Sequence, residues 1–323
     1  MHIYDNVKLN DKNWFQTGGT ARYFCQPSTS TEIQLAIEFA KTKNIKALML
    51  GEGANVLISD NGIDGLVINP RNNNFEIIDQ SNTHSIVRIG AGMSITDAIN
   101  MSLSHRLCGL EEFSGIPGTI GGSTFINVHY FKCLLSHYIV KANVIRLSDN
   151  KIFEVDNSWF EFGYDTSALH RREYVVVDVT FKLVNATETE VNFALGRNFE
   201  IIRHREQRYP TSHTCGSFFK NFSNEEVAKA KAGPKVIYVA YYLDQLGFKG
   251  ILECGDAIIS HRHANMIFNR KNCSSNDIIE LAKAMQKKVF DVYALMPQPE
   301  CQLLGFNTWP LLGPEQPSAY LNL

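Results

Sequence analysis

The chain has 323 residues, 44% of them hydrophobic and 20% charged, which excludes a disordered or low-complexity protein. A net charge of −2 supplies no field that would draw it to nucleic acid or an anionic membrane. No apolar run approaches the ~20 residues that span a bilayer. Seven scattered cysteines without a C-x-x-C pair read as free thiols and argue against a zinc site or a disulfide framework. Met1-His2-Ile3-Tyr4-Asp5 has neither the basic nor the apolar part of a signal peptide, so a cytoplasmic location is expected.

In chain order, Thr29-Ser30-Thr31-Glu32 has capping-box spacing, and Ile33, Ala36, Ile37 and Ala40 follow on one helical face. Ala47-Leu48-Met49-Leu50 reads as a buried strand leading into Gly51-Glu52-Gly53-Ala54-Asn55, and Leu66-Val67-Ile68 as the next strand. This α/β unit ends near Arg71-Asn72-Asn73-Asn74. Ile86-Val87-Arg88-Ile89 precedes Gly90-Ala91-Gly92, and a capped helix from about Ser94 carries Ile95, Ala98, Ile99 and Leu103 inward until Gly109. Val144–Leu147, a turn at Ser148-Asp149-Asn150 and Ile152–Val155 form a hairpin pattern, and Tyr174 to Val184 alternates as a long strand. A basic helix with Arg197, Arg203, Arg205 and Arg208 closes at Pro210. Ser223 caps a short helix that Gly233-Pro234 stops. A longer helix from about Ser274 buries Ile278, Leu281, Ala282, Met285 and Val289, and a strand follows at Gln302–Phe306. The proline-containing stretch beyond Asn307 is expected to be irregular.

Residues 109–122, G-L-E-E-F-S-G-I-P-G-T-I-G-G, concentrate glycine as a chain does where φ must be positive or another molecule approaches the backbone. Neither Gly51-x-Gly53 nor Gly90-x-Gly92 continues to a third glycine at dinucleotide-fingerprint spacing, and no G-x-x-x-x-G-K-[ST] occurs. Glycine-rich turns after strands are nonetheless suitable places for backbone N–H groups to hold a diphosphate.

Several segments occur in a characteristic order. They are Asn13–Ala21, Gly51–Leu57 with Asp60-Asn61-Gly62, Gly115–Gly122, Cys215–Asn221, Gly247–Gly250, His263–Asn269 and Pro299–Gly305. Together they resemble the UDP-N-acetylenolpyruvoylglucosamine reductase (UDP-N-acetylmuramate dehydrogenase) family over about residues 10 to 306. The resemblance implies an α+β fold, with a two-part FAD-binding region of the vanillyl-alcohol-oxidase type and a smaller α/β substrate domain. The implied boundaries are 1–75 and 76–203 for the FAD-binding subdomains, 204–306 for the UDP-sugar domain and 307–323 for the tail. The implied reaction is reduction of UDP-N-acetylglucosamine enolpyruvate with NADPH as donor, in cell-wall precursor synthesis. The expected partner is a UDP-sugar and the expected state a monomer. Other readings remain open: action on another nucleotide sugar, or a flavin-binding protein that has lost catalysis.

Carried over residue by residue, the resemblance makes Ser217 the proton donor and Glu300 the catalytic glutamate. It assigns Gly51, Gly53, Ala54, Asn55, Val56, Gly115, Pro117, Gly118, Thr119, Gly121 and Gly122 to FAD, and Lys220, Asn221, Lys249 and Asn265 to the substrate. No metal is expected. Three positions depart from the pattern. Asp165 stands where the family has a catalytic arginine, Val128-His129-Tyr130 replace small residues after Asn127, and Ala54 replaces a serine. An aspartate reverses the charge where an enediolate must be stabilised, so Arg171 or Arg172 is expected to substitute.

Overall fold

The computed structural model describes residues 1–323. Thr29 is extended, and its hydroxyl oxygen accepts the Glu32 N–H at 3.2 Å, which starts the helix Ser30–Lys43. Its buried stripe is Ile33, Ala36, Ile37 and Ala40, as the spacing predicts. The helix covers a four-stranded sheet ordered Ile3–Lys8, Thr20–Cys25, Ile63–Ile68, Lys46–Met49. The first pair is antiparallel and the others parallel. The strand Ile3–Lys8 has no fully buried residue, so no apolar run announced it.

A second sheet is antiparallel, ordered Lys151–Asp156, Ile139–Arg146, Tyr174–Asn185, His84–Gly90, Phe75–Gln80. Leu107–Cys108 pairs with the end of its central strand. Alternation along that strand joins the two regions: Val175 and Val177 enter the core around Ile33 and Ile37, while Val176 faces Val87 and Ile120 on the other side. The helix Ile95–Ser104 stops short of Gly109, because Arg106 takes φ +58 and the chain turns into Leu107–Cys108. The basic helix, Glu188–Arg208, opens with a Thr187/Glu190 capping box and runs through the expected boundary at 203/204.

The third region packs Ser275–Tyr293 and Val239–Gln245 on a small antiparallel sheet of Glu253–Cys254, Ala257–Ile259 and Ile267–Asn269. Ile278, Leu281, Ala282, Met285 and Val289 form the inner face of its long helix. The short helix capped by Ser223 ends at Ala228, before Gly233. Gln302–Leu304 leaves this region and pairs in parallel with Val56–Ile58 of the first.

The tail is irregular in secondary structure but closely docked. Leu312 N–H donates to Gln286 Oε1 at 2.9 Å and Gln316 Nε2 to the Pro299 carbonyl at 2.8 Å. Farther along, Leu321 N–H donates to the Ala47 carbonyl at 2.8 Å and Asn322 N–H to that of Arg172 at 2.9 Å. Leu321 is buried in the core of the first region. No helix is long and apolar enough to cross a membrane.

Candidate active site

Between the first two sheets lies a cleft of about 1160 Å³ including its open mouth. Gly51, Gly53, Ala54, Asn55 and Val56 form one wall, and Pro117, Gly118, Thr119, Gly121 and Gly122 the other. Asn69 fixes the first turn by donating from Nδ2 to the Leu50 and Gly51 carbonyls at 2.6 and 2.8 Å. Thr119 caps the helix Ile120–Ile126, accepting the Gly122 N–H at 3.2 Å. Asn72, from the expected boundary stretch, is buried and ties the second sheet to this wall through Val177 and Gly92.

The glycines serve different ends. Gly118 has φ +136 and nothing nearer its Cβ position than Ser123 Oγ at 3.9 Å, so a side chain there would enter the cleft. At Gly53 a Cβ would instead lie 2.6 Å from Asn13 Cα and the Lys12 carbonyl oxygen, so the protein's own packing dictates that glycine. Gly115 does not line the cleft. It is a turn at φ +70 beneath Arg205, whose Nε donates to its carbonyl at 3.0 Å.

The sequence alone did not single out Arg172 as part of this cleft. It is a wall residue, stacked over the Phe125 ring at 4.4 Å and donating to Gln302 Oε1 at 2.7 Å. Burial brings its guanidinium down to about 10. His170 stacks on the same ring at 3.9 Å, and burial, with Arg172 nearby, pushes its imidazole down to about 4. The tail closes one side with Ala319 and Leu321.

Ser217 and Glu300 are distant in sequence but adjacent in the fold. The Glu300 and Cys301 N–H groups donate to the Phe218 carbonyl at 2.9 and 3.3 Å, and Phe219 bridges Pro299 in antiparallel fashion. Neither residue lines the large cleft. Asn265 sets this arrangement: its Nδ2 donates to the Phe219 carbonyl at 2.7 Å, and its Oδ1 accepts the Phe219 N–H at 3.0 Å. Each end of that buried amide holds Phe219, so Asn265 positions the Ser217 segment. Asn221 is likewise committed, donating to the Tyr164 hydroxyl at 3.1 Å and accepting from Val239 N–H at 3.3 Å. Lys249 pairs with Asp244 at 3.4 Å on the surface. Of the four expected substrate contacts, Lys220 acts on the carboxyl cluster directly and Asn221 reaches it through Tyr164.

That cluster is built from both sides of the region boundary. Asp165 and Tyr164 come from the loop before Ser167, His129 from a short hairpin, and Lys220 and Glu300 from the paired segments of the third region. The Asp165 side chain is only 8% exposed and lies 3.6 Å from His129 Nδ1. Its Oδ2 is buried without a hydrogen-bond partner. Burial raises its carboxyl above the ordinary range, against the opposing effects of His129 and Lys220. Burial and then the charge of Asp165 push Glu300 well up, with Lys220 opposing. Burial, Asp165 and Glu300 together raise the Tyr164 hydroxyl.

The expected arginine substitution does not occur. Arg171 points to the surface and pairs with Glu161 at 2.5 Å, and Arg172 faces the cleft. The basic side chains that act on Asp165 are His129, at 3.6 Å, and Lys220.

Residues 207–304 match the family model of the UDP-N-acetylenolpyruvoylglucosamine reductase C-terminal domain, and residues 21–156 that of an FAD binding domain. A curated UDP-N-acetylenolpyruvoylglucosamine reductase from Prochlorococcus marinus is 30% identical over 307 residues, covering 95% of this chain and 99% of that protein. The chain belongs to this family. A relative of the same name from Clostridium botulinum is 29% identical across 94% of this chain and 93% of its own. The crystal structure of UDP-N-acetylenolpyruvylglucosamine reductase from Thermus caldophilus superposes with a TM-score of 0.77 at 24% identity, covering 94% of this chain and all of that one, which shows the shared fold.

The cofactor of the family is FAD, and the cleft fits it. Gly118 leaves a cradle that any side chain would fill. Its N–H donates to a Glu52 carboxylate oxygen at 2.9 Å, an anionic acceptor of the kind a phosphate supplies. Arg172 adds a buried cation, and the buried Asn55 Oδ1 has no partner within the chain.

Proposed function

We propose that the chain reduces the enolpyruvyl ether of UDP-N-acetylglucosamine to the lactyl ether of UDP-N-acetylmuramate, with NADPH as donor and FAD as carrier. The observation that carries this reading is kinship across 95% of the chain, including both the FAD-binding part and the C-terminal domain. Bound FAD supplies hydride transfer; the protein supplies position, electrostatics and the proton.

In this reading the turns at 51–56 and 117–122 hold the cofactor, with Arg172 as an anion partner, and residues 204–306 carry the UDP-sugar. Addition of hydride to one carbon of the double bond leaves carbanion character on the other, shared with the adjacent carboxylate. Ser217 gives that carbon a proton. Lys220 approaches the same place from an exposed position and offsets the negative charge of the cluster. A serine hydroxyl is a weak acid, so it depends on neighbours that donate to it in turn.

The test is NADPH oxidation by the flavin-loaded protein with and without UDP-N-acetylglucosamine enolpyruvate. The expected result is substrate-dependent oxidation with a product two hydrogens heavier. Oxidation that ignores the enolpyruvyl compound would sink the reading.

A further inference from the structure

Residues 307–323 lie beyond the stretches that the family models match, yet Ala319 and Leu321 are built into the wall of the cofactor cleft. The strand Lys46–Met49 stands at the edge of the first sheet and runs into the 51–56 turn. An edge strand presents a row of unpaired backbone groups. Leu321 N–H covers this one by donating to the Ala47 carbonyl at 2.8 Å, and Lys46 Nζ lies over the Tyr320 ring at 5.0 Å. The next residue reaches the second region. Asn322 N–H donates to the Arg172 carbonyl at 2.9 Å, and Asn322 Nδ2 to the Arg171 carbonyl at 2.8 Å. Arg172 sits at φ +59, a left-handed conformation that an arginine keeps only where its surroundings hold it. These two hydrogen bonds hold it.

We propose that residues 319–322 are a clasp for the cofactor: they tie the strand that carries the 51–56 turn to the segment that carries Arg172, and so fix the separation of the two sides of the cleft. The inference rests on FAD as the cofactor, and not on which ether the reduced flavin acts upon. Side chains complete the closure. Leu321 is 7% exposed and shares a core with Val175, and both line the cleft. Ala319 packs against the core of Leu50 and Leu304, which line it too. A ligand that buries ring surface against an apolar wall is held less well once water reaches that wall. Residues 319–322 are thus positioning residues, acting on the cofactor through the edge strand and through Arg172.

Coupling between a clasp and a ligand is reciprocal: residues that favour bound FAD must be favoured by it in equal measure. Residues that merely stabilise the fold are protected no more than the rest of the protein. Amide hydrogen exchange on the wild type reads this difference. With FAD, the Leu321 and Asn322 N–H groups should exchange at least about tenfold more slowly than in flavin-free protein. Leu312 N–H is the internal control, since it belongs to the same stretch but donates to Gln286 in the third region. Equal slowing at Leu312 and Leu321 overturns the proposal. The double variant Leu321→Ser/Asn322→Ala should release FAD at least about tenfold faster, read from the visible spectrum of filtrates. Leu321→Met, which keeps the apolar volume, should stay near the wild-type rate. A double variant that is folded by circular dichroism yet releases FAD at the wild-type rate overturns the proposal as well. Should that variant fail to fold, the exchange comparison on the wild type decides. The reductase reading fails separately, if wild-type flavin reduced by NADPH is not reoxidised by the enolpyruvyl substrate.

Discussion

The cofactor cleft and the carboxyl cluster are built by opposite means. The cleft is made of two short contiguous turns, 51–56 and 117–122, held by the protein's own backbone contacts and carrying its one buried cation, Arg172. Residues from four separate segments make the cluster, which holds two carboxyls, Asp165 and Glu300, with only His129 and Lys220 to oppose them. A turn keeps its shape under sequence drift because sterics enforce it. A set of charges brought together by packing can be rewired by one substitution, provided neighbours rebalance it. The departures named from the resemblance fall in both places, Asp165 and His129 in the cluster and Ala54 and Val128 in the cleft wall.

The largest expected effect separates the two places directly. Glu300→Gln should lower turnover on the enolpyruvyl substrate by ~10²–10³ while flavin content stays at the wild-type level. Loss of flavin in that variant, read from its visible spectrum, would mean that the cluster and the cleft are one site.

Gly53→Ala attacks the other side. A Cβ 2.6 Å from Asn13 Cα, on a backbone at φ +67, should cost about 2 kcal/mol of stability and loosen FAD. Thermal unfolding and flavin release report it; a variant with unchanged Tm and retention would show that the turn gives way freely.

A smaller contrast lies between adjacent residues. Arg172→Met should weaken FAD by about tenfold, since the one cation of the cleft wall is lost, while the pH profile of turnover keeps its shape. Arg171→Ala should leave both unchanged, because its partner Glu161 is an exposed surface group. An effect of Arg171 on turnover would revive it as a member of the cluster.

Much of the cleft was legible because the segments that carry the family resemblance, 51–57 and 115–122, are contiguous, with glycine at turns and an apolar strand leading into the first. Gly115 shares those signals, and only the position of Arg205 on the helix Glu188–Arg208 removes it from the wall. The helix Ser30–Lys43 was readable from its cap and stripe, whereas Ile3–Lys8 carries no buried stripe to read. The substrate contacts are hard to read from sequence for a different reason. An asparagine or lysine in a motif does not disclose whether its polar atoms are already engaged, as those of Asn221, Asn265 and Lys249 are. Nor could Asp165, His129 and Glu300 be grouped from spacing, since the pairing of two regions brings them together.

The docking of the tail bears on how the protein is made. Leu321 reaches Ala47 across on the order of 270 positions, and Gln302–Leu304 adds a parallel strand beside Val56–Ile58. Both contacts complete walls that earlier segments began, and pairings of such long range form slowly. During synthesis, the sheet that carries the 51–56 turn therefore emerges early with its neighbours missing. It can close around a flavin only after residues past 300 have left the ribosome. Capture of the cofactor is then one of the last events of folding, and a nascent chain stalled before that point would expose an unfinished edge at Val56–Ile58.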